Sequence, residues 1–367
     1  METSVHDLDP RTYFKLQKEI QVFHHPLQNQ VAASVAEKLK PLKLENHLAL
    51  FSSGTTSSTL KGYVLSLAAM EANAQAVNDF YQITSKDVWG LSLPDYHVGG
   101  LSVLMRAHLI NSLVVDCRGW SPDKWTQKIT ERKVTVTTVV PTQVFDLVKA
   151  QVHCPPNLRL LIVGGDFLSS ELEKRARTLG WPIVRTYGMS EVCSQLASAR
   201  LPSTQLEILP IHQVKSDSDE RLLIKSPALF TLQFQMGEKW VVKTSQELSD
   251  EQGYYITQDR ARISNNTITP LGRMDQQLKM AGHLVDLTAL KESLYSRLLE
   301  LNLYGKAELT IENDERKGKK LVLLHLQTLS LAELAQIRSA LLPQIIDELR
   351  AVSAFERTDL GKLKLSK

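Results

Sequence analysis

Between Leu48 and Tyr187 short apolar or β-branched runs alternate with segments of helical character, and this alternation restricts the fold more than any other feature of the chain. The runs are "HLALF", "DVWGLSLP", "SLVVDC", "VTVTTVV", "LRLLIVGG" and "PIVRTYG"; between them lie "SLAAMEANAQAVNDFY", "SPDKWTQKITERK", "PTQVFDLVKA" and "SSELEKRARTLG". Several helical segments carry start signals. Ser121 precedes Pro122, and Ser170 is followed by Glu173 at capping-box spacing. Strand, helix, strand repetition predicts parallel pairing with helices covering the sheet faces. In such sheets ligands gather at the C-terminal ends of strands, where "SSGTT", "GGD" and "YGMSE" fall. The three loops are therefore expected to share one edge.

The pattern then changes. From about Leu206 to Pro270 short strands and polar turns predict a β-rich subdomain, and after "GRMDQQLKMAG" the chain starts again. A helix in "LTALKESLYSRLLELN", a hairpin around "ENDERKGKK" and a helix opened by Ser330 with Glu333 at capping-box spacing make a small α+β unit. The length of 367 residues accommodates roughly two domains. The expected fold is α/β: a large domain over residues 1–274, with a mainly parallel sheet flanked by helices plus the β-rich part, and a small α+β domain over 275–367. No internal repeat is visible.

Composition excludes several classes of function. The net charge of +3 and the lack of a basic stripe beyond "GKLKLSK" give no basis for nucleic-acid or anionic-membrane binding. Cys117, Cys154 and Cys193 are too few and too scattered for a disulfide framework or a CxxC metal site, which suits a reducing cytoplasm. The N-terminus has neither a basic start nor an apolar run, and nowhere do about 18 apolar residues follow one another. A soluble intracellular protein without a membrane span is expected.

The stretch Ser52–Gly62, "SSGTTSSTLKG", opens with six residues that are glycine or carry a hydroxyl, and it ends with Lys61. Such a segment can converge backbone N–H groups on an anion such as phosphate, or serve as a flexible Ser/Thr linker. It does not fit G-x-x-x-x-G-K-[ST], since Lys61 precedes Gly62 and no Gly-Lys-Ser/Thr follows Gly54 at the required spacing. A kinase or GTPase phosphate loop is not expected.

Taken in order, these pieces resemble the acyl-adenylate-forming (AMP-binding) superfamily of acyl-CoA synthetases, adenylation domains and luciferases. "SSGTTSSTLKG" is similar to its Ser/Thr/Gly-rich phosphate loop, "LPDYHVGG" to LP-x-x-H-x-x-G, and "LRLLIVGGD" to its adenine-side strand and turn. "TYGMSE" is close to Y-G-[ML]-[ST]-E, "GYYITQD" resembles G-Y-x-x-T-G-D, "GRMDQQLKMAG" resembles the hinge segment, and "LGKLKLSK" looks like the terminal Gly-Lys motif. Seven matches in the family's order cover about Leu48 to Lys367. Within the family, "HVGGLSVLMRA" is most similar to o-succinylbenzoate:CoA ligases of menaquinone synthesis. There are departures. The phosphate loop is one residue longer with Ser where a second Gly is usual, Gln258 replaces the Gly of T-G-D, and the first N-terminal subdomain of most members is largely missing, so a compact version is expected.

The resemblance implies ATP, Mg²⁺ and CoA as cofactor and co-substrates, and a small carboxylic acid as substrate. It implies that Ser53, Gly54, Thr55, Thr56 and Lys61 hold ATP phosphates, that Ser190 donates to phosphate, and that Glu191 ligates Mg²⁺. Gly164, Gly165 and Asp166, with Tyr187, Gly188 and Met189, would surround adenine; Asp259 would accept from ribose, with Arg273 as a second contact. Lys362 would be the catalytic lysine, Lys279 and Gly282 would face the site after the small, mobile domain swings about a hinge at Asp275, and His97 and Gly99 would line the acyl pocket. Arg106 follows "LSVLM" on a largely apolar helix, where a buried guanidinium needs an anion; the second carboxylate of o-succinylbenzoate would supply one. Taken singly, each has an ordinary reading: Glu191 a helix-start acid, Gly164–Gly165 a tight turn, Asp259 a solvated loop acid, His97 a satisfied loop histidine, Arg106 a snorkelling cation or the partner of a structural acid. The rival functions are a ligase for another aryl or fatty acid and a non-catalytic adenylate-binding module. A homodimer is left open.

Overall fold

A computed structural model describes residues 7–15, 18–52, 60–276, 279–280, 283–314, 318–342 and 346–355. Its centre is a run of five parallel strands in the spatial order Leu113–Asp116, Val88–Leu91, Val136–Val139, Leu160–Val163, Ile183–Met189. Alternation along Leu160–Val163 shows why both faces are covered. Leu160 and Ile162 join the core beneath helices Leu67–Phe80 and Val98–Ile110, whereas Leu161 and Val163 join the core beneath Pro122–Glu131, Pro141–Lys149 and Ser170–Thr178. A strand buried on both faces must be apolar throughout, as this one is.

Beyond Ile183–Met189 the sheet turns antiparallel through Ser194–Ser198 and continues over Leu206–Ile208, Thr267–Arg273, Tyr255–Ser264, Arg221–Lys225 and Gln213–Ser216. The segment 206–270 is β-rich, but it does not stay together. Leu232–Met236 and Trp240–Thr244 leave it to pair with Leu60–Ser66 in a separate five-stranded sheet. That sheet also corrects the reading of "HLALF": His47–Phe51 is not part of the parallel sheet, but runs antiparallel to Leu60–Ser66 and parallel to Gln21–Phe23. The Ser/Thr-rich stretch therefore connects two antiparallel strands instead of a strand and a helix. Gly62 is required there, since a Cβ would lie 2.2 Å from Phe234 Cζ and 2.5 Å from the Leu50 carbonyl oxygen.

One helix start also differs. The cap of Ser170–Thr178 is Ser169, whose Oγ accepts from Leu172 N–H at 3.3 Å. Glu173 is buried and engages Arg177 and Arg185 instead of closing a capping box. Two adjacent serines made the frame ambiguous by one residue.

Past the turn Met274–Gln276, helix Leu287–Glu300, strands Ala307–Asp314 and Gly318–Leu326 and helix Leu331–Ser339 share a core of their own, and strand Glu348–Val352 pairs parallel to Gly318–Leu326. Ser330 and Glu333 form the expected capping box. This unit touches the large one through Glu292, whose carboxylate accepts from Ser170 N–H at 2.8 Å, through Arg175 to the Leu299 carbonyl at 3.2 Å, and through a Phe145–Tyr304 stack at 4.3 Å. No helix among the described residues is long and apolar enough to cross a membrane.

Candidate active site

The hairpin between Ile183–Met189 and Ser194–Ser198 carries the acid of the "TYGMSE" motif. Gly188 sits where this hairpin closes most tightly, and a Cβ there would lie 1.9 Å from the Ser194 carbonyl oxygen. Ser190 opens a short 3₁₀ turn, Ser190–Val192, directly after Met189. Asn73, from helix Leu67–Phe80, donates through Nδ2 to the carbonyls of Val192 (2.9 Å) and Gln195 (2.7 Å) and braces that turn. Glu191 leaves the turn and accepts a hydrogen bond at Oε1 from the Tyr63 hydroxyl at 2.6 Å, while its carbonyl accepts from Phe230 N–H at 2.9 Å.

Lys61 and Tyr63 lie two apart in Leu60–Ser66 and so face the same way. Lys61 Nζ stands 5.1 Å from the Tyr63 ring centroid. Burial lowers its pKa, and the negative charge of Glu191 opposes that shift. On the neighbouring side the Tyr187 hydroxyl donates to Asp259 Oδ2 at 2.6 Å, and Arg273 Nη1 approaches Asp259 Oδ1 at 3.7 Å while forking onto Asp275 at 2.9 and 3.1 Å. Lys61, Glu191, Tyr187, Asp259, Arg273 and Asp275 thus form one polar group drawn from both sheets and the turn before the small unit. Asp259 is not a solvated loop acid: it lies on a strand, paired in register with Arg273.

The glycines beside it are structural as well as permissive. A Cβ on Gly164 would lie 2.4 Å from Thr186 Oγ1, and Gly165 has φ +87°, the left-handed region. Asp166 is exposed and accepts from Phe167 N–H.

Arg106 lies on helix Val98–Ile110 and is 1% exposed. Its Nη2 donates to Ser194 Oγ at 3.1 Å, its guanidinium lies 5.9 Å from the Trp89 ring centroid, and Nε has no partner. Among the described residues no carboxylate pairs with it. Burial pulls its pKa down to about 10, so it remains a cation at neutral pH. It neither snorkels nor serves a structural acid. His97 occupies the cap position of the same helix, packed 4.8 Å from the Tyr96 ring. Gly99 and Gly100 follow, where the "LPDYHVGG" turn folds against the helix start: a Cβ on Gly100 would lie 2.1 Å from the Pro94 carbonyl oxygen, and one on Gly99 would lie 3.2 Å from Leu93 Cδ1.

The AMP-binding enzyme family model matches residues 9–215, more than half of the chain. The chain belongs to the AMP-binding enzyme family. It is 28% identical over 174 residues to 2-succinylbenzoate–CoA ligase of Bacillus licheniformis, covering 47% of this chain and 36% of that protein, and 25% identical over 240 residues to the Enterococcus faecalis ligase of the same name, covering 58% and 48%. The chain spans between a third and a half of the length of these curated relatives. In fold it matches o-succinylbenzoate CoA synthetase from Bacillus subtilis in complex with the acyl-adenylate intermediate OSB-AMP, with a TM-score of 0.71 at 21% identity, covering 86% of this chain and 67% of that one.

The donor set suits the magnesium that AMP-binding enzymes imply. Among the described residues there is no cluster of three His, Cys, Asp or Glu side chains that could hold a metal ion, and Glu191 offers a hard carboxylate close to Lys61. Mg²⁺ is held in this manner by one or two carboxylates plus substrate phosphates. Four expected phosphate contacts, Ser53, Gly54, Thr55 and Thr56, lie outside the described residues, as do Gly282 and Lys362; Lys279 is described only as backbone in the strand Lys279–Met280.

Sequence reasoning missed Tyr63, Tyr255 and Ser194. The first could have been found from strand periodicity, since it faces the same way as Lys61. The second lies within "GYYITQD", four residues before Asp259. A further buried group supports the Glu191 hairpin from behind. His212 Nε2 donates to the Gln195 carbonyl at 3.0 Å, so Nδ1 accepts from Ser226 Oγ at 2.8 Å, and burial pushes its pKa down to about 4. Above pH 6.5 the ring is neutral whether the chain is folded or not. As pH falls towards 4 the unfolded chain binds a proton that the folded one refuses, so stability drops by about 1.4 kcal/mol per unit, roughly 3 kcal/mol in all. Urea denaturation of wild type and His212→Gln between pH 4.5 and 7.5 should show that slope only in the wild type.

Proposed function

We propose that the chain activates a carboxylic acid with ATP and transfers the acyl group to CoA, with o-succinylbenzoate as the acid. The observation that carries the substrate assignment is Arg106, a fully buried guanidinium without a carboxylate partner among the described residues, held against Ser194 three positions past Glu191. Desolvating a cation in this way is costly unless an anion arrives. A substrate with one carboxylate to activate and a second to anchor provides it. Curated relatives named 2-succinylbenzoate–CoA ligase support the same reading.

In the first half-reaction a carboxylate oxygen attacks the α-phosphorus of ATP and pyrophosphate leaves; in the second the CoA thiolate attacks the acyl carbon and AMP leaves. Charge grows on the α-phosphoryl oxygens during the first and must be met by groups already in position. Thr55, Thr56 and Lys61 would hold the outer phosphates, Ser190 would donate to phosphate, and Glu191 would hold Mg²⁺, which when bound neutralises phosphate charge. Asp259 would take the ribose hydroxyls, exchanging its bond from Tyr187, with Arg273 alongside. Tyr187 with Gly188 and Met189 would flank adenine opposite Gly164, Gly165 and Asp166. His97 and Gly99 would line the acyl pocket, and Lys362 would bridge the attacking carboxylate and the α-phosphate. The two steps need different groups at one face, so we place a hinge at Asp275 between a domain over residues 1–274 and a lid over 275–367, the swing bringing Lys279 and Gly282 to the site. With soluble co-substrates, the ligase would work in the cytoplasm, as monomer or homodimer.

The test is to incubate the protein with ATP, Mg²⁺, CoA and a panel of aryl, dicarboxylic and fatty acids, and to weigh the thioesters formed. Preference for o-succinylbenzoate supports the reading. Preference for a monocarboxylic acid makes it a different ligase, and no thioester or acyl-AMP with any acid makes it an adenylate-binding module.

A further inference from the structure

Tyr63 links the two sheets of the large unit. It sits on Leu60–Ser66, opposite Gln233 in the five-stranded sheet, yet its hydroxyl donates across 128 residues of sequence to Glu191 in the other sheet's hairpin, at 2.6 Å. The ring is 2% exposed, packs edge-on against Phe230 at 5.2 Å, and has the Tyr255 hydroxyl beside its own. Phe230 in turn holds the Glu191 backbone through its N–H and packs on Tyr255 at 5.0 Å. Main chain and side chain of Glu191 are thus fixed by one aromatic cluster.

Lys61 makes that fixing consequential. It reaches over the same ring, close enough to feel the Glu191 charge, but the two form no ion pair. Oε1 is occupied by the Tyr63 hydroxyl, and Oε2 is unengaged among the described residues. Without the hydroxyl nothing would prevent the carboxylate from swinging onto the lysine, and each would then neutralise the other. A glutamate side chain has several rotatable bonds and adopts one rotamer only when something holds it. A hydrogen bond to a charged acceptor is strong enough to do so.

We propose that Tyr63 is a positioning residue: its hydroxyl holds Oε1 of Glu191, keeps the carboxylate off Lys61, and presents Oε2 to the metal of a magnesium–ATP complex while Lys61 remains available for phosphate. The inference rests on the adenylate-forming reading above. Partners of this kind, which orient a metal-binding side chain without touching the metal, typically change metal affinity about 10- to 100-fold when removed.

The experiment compares wild type, Tyr63→Phe, Glu191→Gln and the double variant by calorimetric titration with ATP, first in EDTA and then at graded Mg²⁺. Phenylalanine keeps the ring, and circular dichroism and thermal melting report whether the fold is intact. Tyr63→Phe should weaken metal-free ATP binding a few-fold, because Glu191 then draws Lys61 away from phosphate, and the Mg²⁺ concentration giving half of the metal-dependent tightening should rise roughly 10-fold. In ATP–pyrophosphate exchange the same variant should be rescued towards the wild-type rate by excess Mg²⁺, a change in half-saturation and not in maximal rate. On the Glu191→Gln background the Tyr63→Phe substitution should add nothing. Unchanged Mg²⁺ half-saturation, or a deficit that excess Mg²⁺ does not relieve, overturns the role assigned to Tyr63 while leaving the parent reading intact. Failure of the wild type itself to bind ATP overturns both.

Discussion

Arg106→Leu is expected to weaken use of o-succinylbenzoate by about 2 to 5 kcal/mol in kcat/KM, at least roughly 30-fold, while ATP binding and turnover of benzoate-like monocarboxylic acids change far less. The magnitude follows from removing one partner of a desolvated charge pair, which strands the other. A second signature accompanies the first. The guanidinium has one hydroxyl partner, an orphaned Nε and no carboxylate among the described residues, so on the proposed reading its burial is a cost that the second carboxylate of the substrate would relieve. Removing a buried charge that has no counter-ion and filling the space with a hydrocarbon is neutral or stabilising. Arg106→Leu should therefore melt no lower than the wild type, and o-succinylbenzoate added with ATP should stabilise the wild type much more than the variant. A variant that melts several degrees lower and loses all acids equally would show Arg106 to be structural. Unchanged discrimination between mono- and dicarboxylic acids would remove it from substrate selection.

What could be read from the sequence follows a physical division. The parallel core was legible because its strands are short runs rich in apolar and β-branched residues, Leu160–Val163 being apolar throughout and buried on both faces, and because the intervening helices carry local start signals. "HLALF" has the same composition for a different reason. Its partners are Gln21–Phe23 and Leu60–Ser66, and the sheet is completed by Leu232–Met236 on the far side of Leu60–Ser66; no local pattern announces pairing over so long a separation. The Ser169 cap was missed by one residue because both neighbours are serine, and Glu173, three past the wrong one, is instead consumed by Arg177 and Arg185. In the site, residues within contiguous motifs were found, and the structure brings Lys61, Tyr187, Glu191, Asp259 and Arg273 together. Tyr63 was not, since its importance lies in a single contact between two sheets. Arg106 was legible for the opposite reason: a cation inside an apolar helix is conspicuous wherever it is found.

Lys362→Ala should abolish most adenylation, by roughly 10²- to 10³-fold, the usual consequence of removing one preorganised group that meets charge developing in a transition state. It should leave thioester formation from supplied acyl-AMP and CoA nearly intact. The asymmetry arises because a lysine bridging the incoming carboxylate and the α-phosphate occupies the side from which the thiol must later attack, so the group that assists one step has to withdraw before the other. The contacts that seat the small unit in this structure suit such a withdrawal. They are the Glu292 carboxylate on Ser170 N–H, Arg175 on the Leu299 carbonyl, the Phe145–Tyr304 stack, and Lys319 Nζ on the Asp275 carbonyl at 2.6 Å. Three of these are single polar bonds, worth about 1 kcal/mol each against water, and the apolar contact beside them is narrow: the Phe145–Tyr304 and Phe167–Tyr295 rings, and Leu299 set into the core of the large unit. The Lys319 bond falls on the proposed hinge itself, where a few backbone rotations can redirect the whole unit. ATP–pyrophosphate exchange reports the first half-reaction, and thioester mass after mixing purified acyl-AMP with CoA reports the second. A loss of similar size in both would mean that Lys362 supports the fold or the CoA channel, and the alternation about Asp275 would then have no lysine to move.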